Sequence, residues 1–162
     1  MTKLTMLSER QLNYLLNDKL NQKLPPFINL GKLGLNFGLQ GMQFTATSTT
    51  AENQTLSFPM YLHSISNNND NQDIVSMGCN AALMTRKVID NSFDVLAIQT
   101  LALVQAIDYL KCQSRLSTFT HKLYEEVRQI VGPIVDDQPR YNDIQAMRKY
   151  LITLGSTVKL SI

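Results

Sequence analysis

The chain has 162 residues, 44% of them hydrophobic, so it is long enough and apolar enough to bury a core as one domain spanning residues 1–162. Fifteen Lys plus Arg against thirteen Asp plus Glu leave a formal charge of +2 with no block of like sign, which argues against wholesale disorder, a nucleic-acid groove or a membrane-surface patch.

The N-terminal stretch sets Lys3, Glu9 and Arg10 around a short apolar segment and has no signal-peptide core. No continuous run reaches the roughly eighteen apolar residues of a membrane span. Cys79 and Cys112 are far apart and lack partners at metal-ligand spacing, so both are expected to be buried free thiols. These features together point to the cytoplasm.

Ser8-Glu9-Arg10-Gln11 has the form of a capping box, and Leu12, Leu15 and Leu16 supply one apolar face, which predicts a short helix from about Glu9 to Leu16. Pro25-Pro26 stops any continuation, and Gly31, Gly34 and Gly38 mark a tightly turned connection. A second helix is predicted from about Leu39 to Asn53. Gly41, Thr45, Ala46, Thr47, Ser48 and Ala51 make it small-sided nearly all round, which suits close packing by several neighbours. Gln43 and Glu52 on it are expected to be satisfied by buried hydrogen bonds, since an unpaired buried polar group costs about 1–3 kcal/mol.

The cluster Ser66-Asn67-Asn68-Asn69-Asp70-Asn71 reads as a loop, because short polar side chains bond their own backbone in turns and caps. From Cys79 to Val131 there is neither Gly nor Pro, and apolar residues recur at helical spacing through Met84, Val88, Leu96, Leu103 and Ile107. A helix from Ile74 to Leu110 follows, about 55 Å long at 1.5 Å per residue. Polar Lys111 to Ser117 breaks it. Leu123, Val127 and Ile130 then line a further helix ended by Gly132-Pro133, and Asn142 or Asp143 caps a last one with the face Ile144, Met147, Leu151 and Leu154 and Gly155 as its stop. The tail Val158 to Ile162 alternates like a strand but is too short to assign. The fold class is therefore all-α, a long-helix bundle of about five helices.

The residues alone offer little chemistry. His63 and His121 are not in metal-ligand spacing, and no phosphate loop, nucleophile elbow or CxxC is present. On this reading Asn71 and Asp73 are helix caps and Gln72 is a loop residue.

One pattern reaches further. Gly34-Leu35-Asn36-Phe37-Gly38 leads into a small-residue helix carrying Gln43, Thr45, Ala46 and Glu52-Asn53. Leu56, Pro59 and Ser64-Ile65 follow in register, then Asn71-Gln72-Asp73-Ile74-Val75-Ser76-Met77-Gly78, Arg86-Lys87 and Gln105-Ala106-Ile107-Asp108. With Ser8-Glu9-Arg10 and Pro25-Pro26-Phe27 before them, these residues resemble the aromatic amino-acid ammonia-lyases, the histidine, phenylalanine and tyrosine enzymes together with related aminomutases. The likeness covers essentially the whole chain and loosens over its last thirty residues.

The resemblance implies a piece of a larger helical superbundle, the C-terminal part of a homotetramer whose active sites draw on several subunits. It also implies a non-oxidative elimination of ammonia from an aromatic amino acid to an α,β-unsaturated acid. The electrophile would be a methylidene-imidazolone formed autocatalytically from an internal Ala-Ser-Gly, a triplet this chain does not contain. The family's catalytic tyrosines and carboxylate-binding arginine would precede Met1. The 162 residues alone are accordingly expected to be inactive, and Asn71 and Gln72 occupy positions that approach electrophile and substrate in the family. The histidine branch carries Glu where this chain has neutral Gln72, so the resemblance leans toward phenylalanine or tyrosine. A 2,3-aminomutase and a non-catalytic helical interaction module are the alternatives.

Overall fold

The central element follows from the uninterrupted helical sequence before Gly132. In the computed structural model, which describes residues 1–157, Gly78–Leu110 forms a 33-residue helix, α4. Its buried positions Val88, Asn91, Val95, Ile98, Ala102 and Gln105 alternate at steps of three and four, the spacing that keeps one helix face against its neighbours. Lys111 ends it in the left-handed region at φ 51°, with its N–H bonded to the carbonyls of Asp108 and Ile107.

The other helices are α1 (Thr2–Leu16), the single turn α2 (Asp18–Asn21), α3 (Gln40–Thr55), α5 (Thr118–Ile130) and α6 (Tyr141–Thr157). Helices α1 and α3 pack on α4 and on each other, while α6 lies on another side of α4 and α5 bridges α4 and α6. Leu12, Leu16, Leu39, Ile98, Leu101 and Met147 are fully buried where these helices meet. Among the described residues, five helices of 13 residues or more, with the short α2 and three 3-10 turns, make up the expected all-α bundle.

Polar side chains stitch the bundle at three places. Fully buried Asn53 of α3 donates to Thr5 Oγ1, Ser92 Oγ and the Val88 carbonyl, and accepts from Asn91, so α1, α3 and α4 share one network. Fully buried Gln105 donates to the carbonyls of Ile28 and Ile134 and accepts from the Ile134 N–H, pinning two irregular segments to α4. Asp108 of α4 takes Arg128 and the Tyr124 hydroxyl of α5.

Several boundaries differ from the sequence reading. Helix α1 starts at Thr2, so Ser8 is a buried mid-helix residue that donates to Gln99 Oε1 at 2.5 Å rather than a cap. Contact with α4 has overridden the local capping signal. Helix α4 starts at Gly78, not Ile74, because Met77 sits at φ 51°, outside helical space. Gly155 lies inside α6 instead of stopping it. Helix α3 buries one face only, Met42, Ala46, Thr50 and Asn53, and its Thr45, Thr47 and Ser48 are exposed. Cys79 is exposed and Cys112 half-buried, so neither is the deeply buried thiol expected. By length and composition α4 is apolar enough to cross a membrane, with mean hydropathy 1.4 over its most apolar stretch, half of which is buried here. The tail from Val158 falls outside the described residues.

Gly38 is required by the turn into α3. Its φ is +56°, and a Cβ there would meet the Phe27 carbonyl at 2.8 Å and Asn29 Cα at 2.9 Å.

Candidate active-site loop

The segment between α3 and α4 carries Asn71 and Gln72, and its two ends are held differently. At the α3 end, the Asn53 carbonyl accepts from Ser57 Oγ at 2.7 Å, and Ser57 Oγ lies 2.5 Å from Thr2 Oγ1. The buried network around Asn53 thus fixes the point from which the loop departs. Asn91 extends that network to Glu52, donating at 2.7 Å, and Lys87 stands 3.9 Å from the same carboxylate. Gln43 donates to Asn13 Oδ1. The expected hydrogen bonding of Gln43 and Glu52 is present, although Glu52 is exposed.

Beyond Pro59 the chain folds into a polar hairpin. Asn67 and Gln72 exchange both backbone hydrogen bonds, at 3.1 and 3.3 Å, around three consecutive left-handed residues, Asn68, Asn69 and Asp70. Asn and Asp tolerate that region better than other side chains, which explains the asparagine cluster. Ser64 Oγ ties the far arm by donating to the Asp73 carbonyl at 3.3 Å and accepting from Val75 N–H at 2.9 Å.

The result is a shaped backbone with free functional groups. Asn71 and Gln72 are exposed, and among the described residues their carboxamides have no hydrogen-bond partner. Each can donate and accept at once without carrying charge. Neither caps α4: they precede Gly78 by more than a turn, whereas a helix dipole acts within its first turn. A cap role for Asp73 fails on the same ground. Apolar side chains crowd the same segment, with Tyr61 76%, Ile65 64% and Ile74 86% exposed.

A cavity lies elsewhere. About 460 Å³ open between the outer face of α3, the Asp136 to Arg140 turn and α6, lined in part by Phe37, Thr45, Asp94, Arg140 and Tyr141. Burial pushes the Asp94 carboxyl above its ordinary value despite Arg148 at 3.3 Å, and Asp137 accepts the Phe37 N–H with both oxygens. Sequence reading placed residues 136–141 in a loop and had no signal that α3 would face it. Neither Asn71 nor Gln72 lines this space. The His63 ring lies 5.7 Å from that of Phe58, tilted by 40°, His121 Nδ1 stands 3.7 Å from Glu125, and no three potential ligands among the described residues gather to hold a metal ion.

Residues 1–129 match the family described as aromatic amino acid lyase. The chain belongs to that family. A tyrosine ammonia-lyase of Cupriavidus metallidurans is 38% identical over 159 residues, covering 98% of this chain and 30% of that protein. An MIO-dependent tyrosine 2,3-aminomutase of Streptomyces globisporus is 39% identical over 90% of this chain and 27% of its own length. The crystal structure of histidine ammonia-lyase from Trypanosoma cruzi superposes with a TM-score of 0.85 at 32% identity, over 95% of this chain and 30% of that one. This aromatic amino acid lyase chain therefore spans about 30% of the length of the curated relatives it matches.

The electrophile implied by such relatives can be tested against these residues. The 162 residues contain no Ala-Ser-Gly triplet, the segment from which the resemblance would derive a methylidene-imidazolone. The exposed, unpartnered carboxamides of Asn71 and Gln72 fit a neighbour that offers both hydrogen-bond donors and acceptors.

Proposed function

We propose that this chain is the C-terminal helical part of an aromatic amino-acid ammonia-lyase, in which Asn71 and Gln72 face the reacting groups. The observation that carries the reading is a pair of exposed, unpaired carboxamides on a backbone held from both sides, in a chain of the aromatic amino acid lyase family. The methylidene-imidazolone, supplied by residues outside these 162, would provide the electrophile for elimination of ammonia. Gln72 would orient the substrate and hydrogen-bond to developing negative charge, a preorganised contribution that needs no proton transfer. Asn71 would hold the adjacent polar group. Neutral Gln72 favours phenylalanine or tyrosine over histidine, because a carboxylate there could pair with an imidazolium and a carboxamide cannot. The assembled enzyme would be a cytoplasmic homotetramer.

A chimera tests this. Replacing the corresponding 30% of the Cupriavidus tyrosine ammonia-lyase with this chain should give ammonia and an α,β-unsaturated acid from an aromatic amino acid, followed by absorbance. In that chimera Gln72→Ala should lower kcat about tenfold or more while the melting temperature stays within about 2 °C, as expected for an exposed residue. Unchanged turnover would remove Gln72 from the site. The second reading, a 2,3-aminomutase, is supported by the 39% identity to the Streptomyces relative, close to the 38% shared with the Cupriavidus enzyme, and a β-amino acid product would establish it. A well-folded chimera with no turnover would favour the non-catalytic helical module.

A further inference from the structure

The loop that carries Asn71 and Gln72 has almost no packing to hold its shape. Every residue from Tyr61 to Ile74 is exposed, and Val75 and Met77 are only half-buried. Its direction therefore rests on hydrogen bonds, and two rungs of them cross it. The inner rung is backbone to backbone, Asn67 with Gln72 at 3.1 and 3.3 Å. The outer rung is a single side chain. Ser64 Oγ donates to the Asp73 carbonyl at 3.3 Å and accepts from the Val75 N–H at 2.9 Å, so one hydroxyl takes the two peptide groups that flank Ile74.

We propose that Ser64 is a positioning residue for the elimination: its hydroxyl aims the Gln72 carboxamide by fixing the arm on which that side chain stands. A hydroxyl can donate and accept at once, as this place requires, and Ala can do neither. Among the described residues no other group hydrogen-bonds to residues 73–76. Beyond them Met77 turns into the left-handed region at φ 51° and α4 begins. Without Ser64 the arm between the Gln72 rung and α4 would be held only at its ends, and Gln72 would pivot on its two backbone bonds.

Ser66 provides the comparison within the same loop. It lies two residues on and is likewise exposed, yet its hydroxyl makes no hydrogen bond among the described residues. Exposure also sets the energetic consequence. Losing a solvent-accessible hydrogen bond changes stability little, since water takes over both peptide groups, whereas a reacting group misplaced by about 1 Å can cost about a hundredfold in rate. An effect on turnover with none on stability thus separates Ser64 from a buried structural residue such as Asn53.

The inference rests on the reading of Gln72 above, and the tyrosine ammonia-lyase chimera tests both. There Ser64→Ala should lower kcat and kcat/KM together about fivefold or more, with the melting temperature within about 2 °C. Ser64→Thr, which keeps the hydroxyl, should retain about half of the turnover or more, and Ser66→Ala should stay within about twofold of the unaltered chimera. Because Ser64 acts through Gln72, adding Ser64→Ala to Gln72→Ala should cost less than about twofold more. In the 162-residue chain itself, amide exchange at Val75 should quicken about threefold or more in Ser64→Ala and stay unchanged in Ser64→Thr. Unchanged turnover in Gln72→Ala, or a folded chimera without turnover, overturns the reading of Gln72 and this role with it. A loss in Gln72→Ala beside unchanged turnover in Ser64→Ala overturns the role of Ser64 alone. So does a Ser66→Ala loss of the same size, a Thr variant as slow as the Ala variant, losses that multiply in the double variant, or Val75 exchange that Ser64→Ala leaves unaltered.

Discussion

Asn53 shows how one side chain can set the start of a functional segment. Its amide joins α1, α3 and α4, and its carbonyl receives the Ser57 hydroxyl that begins the loop bearing Asn71 and Gln72. Replacing it with Ala strands hydrogen-bonding groups in a buried site, and Asn53→Ala is expected to cost about 1–3 kcal/mol in urea unfolding. A smaller loss would mean that water replaces the amide. Tyr150 offers a second test. Burial, followed by its hydrogen bond to Glu126 at 2.5 Å and the charge of that carboxylate, pushes its phenol from 10.0 up to about 12. The folded state therefore holds the proton more tightly than the unfolded one. The contribution is complete below pH 10 and is lost as pH rises toward 12. Tyr150→Phe should flatten that part of the stability profile, and an unaltered alkaline slope would show that other groups produce it.

At the scale of elements, α5 depends on a polar clamp more than on apolar area, since Val127 is its only buried residue. Arg128 and Asp108, their side chains 12% and 17% exposed, form an ion pair that Tyr124 joins. Removing one partner leaves a charge in a poorly solvated place, so Arg128→Leu should cost about 3–5 kcal/mol. Hydrogen exchange should locate the loss first in Thr118–Ile130. Uniform loss of protection across all helices would mean that α5 is not a separate unit. The sequence carried the apolar stripe of this helix clearly, yet nothing in it paired Asp108 with Arg128 across the intervening turn.

The whole molecule presents more apolar surface than an isolated domain usually keeps, from Tyr61 and Ile74 at the loop to Leu103 on α4. Surface of that kind is expected to drive self-association, so the melting temperature should rise with protein concentration. A melting temperature constant over a roughly hundredfold range of concentration would argue against it.

What the sequence by itself determined was the class of fold and the family. Helical spacing, prolines and the asparagine cluster are local signals, and the Asn71-Gln72-Asp73 run is legible in one dimension. Tertiary structure alone decided that Ser8 is buried in mid-helix, that α4 begins only at Gly78 and that Asn71 and Gln72 stand free of its dipole. These outcomes depend on contacts between residues distant in the chain, such as Ser8 with Gln99 and Asn53 with Asn91. Local propensities of about a kilocalorie per mole yield when packing on a neighbouring helix offers more.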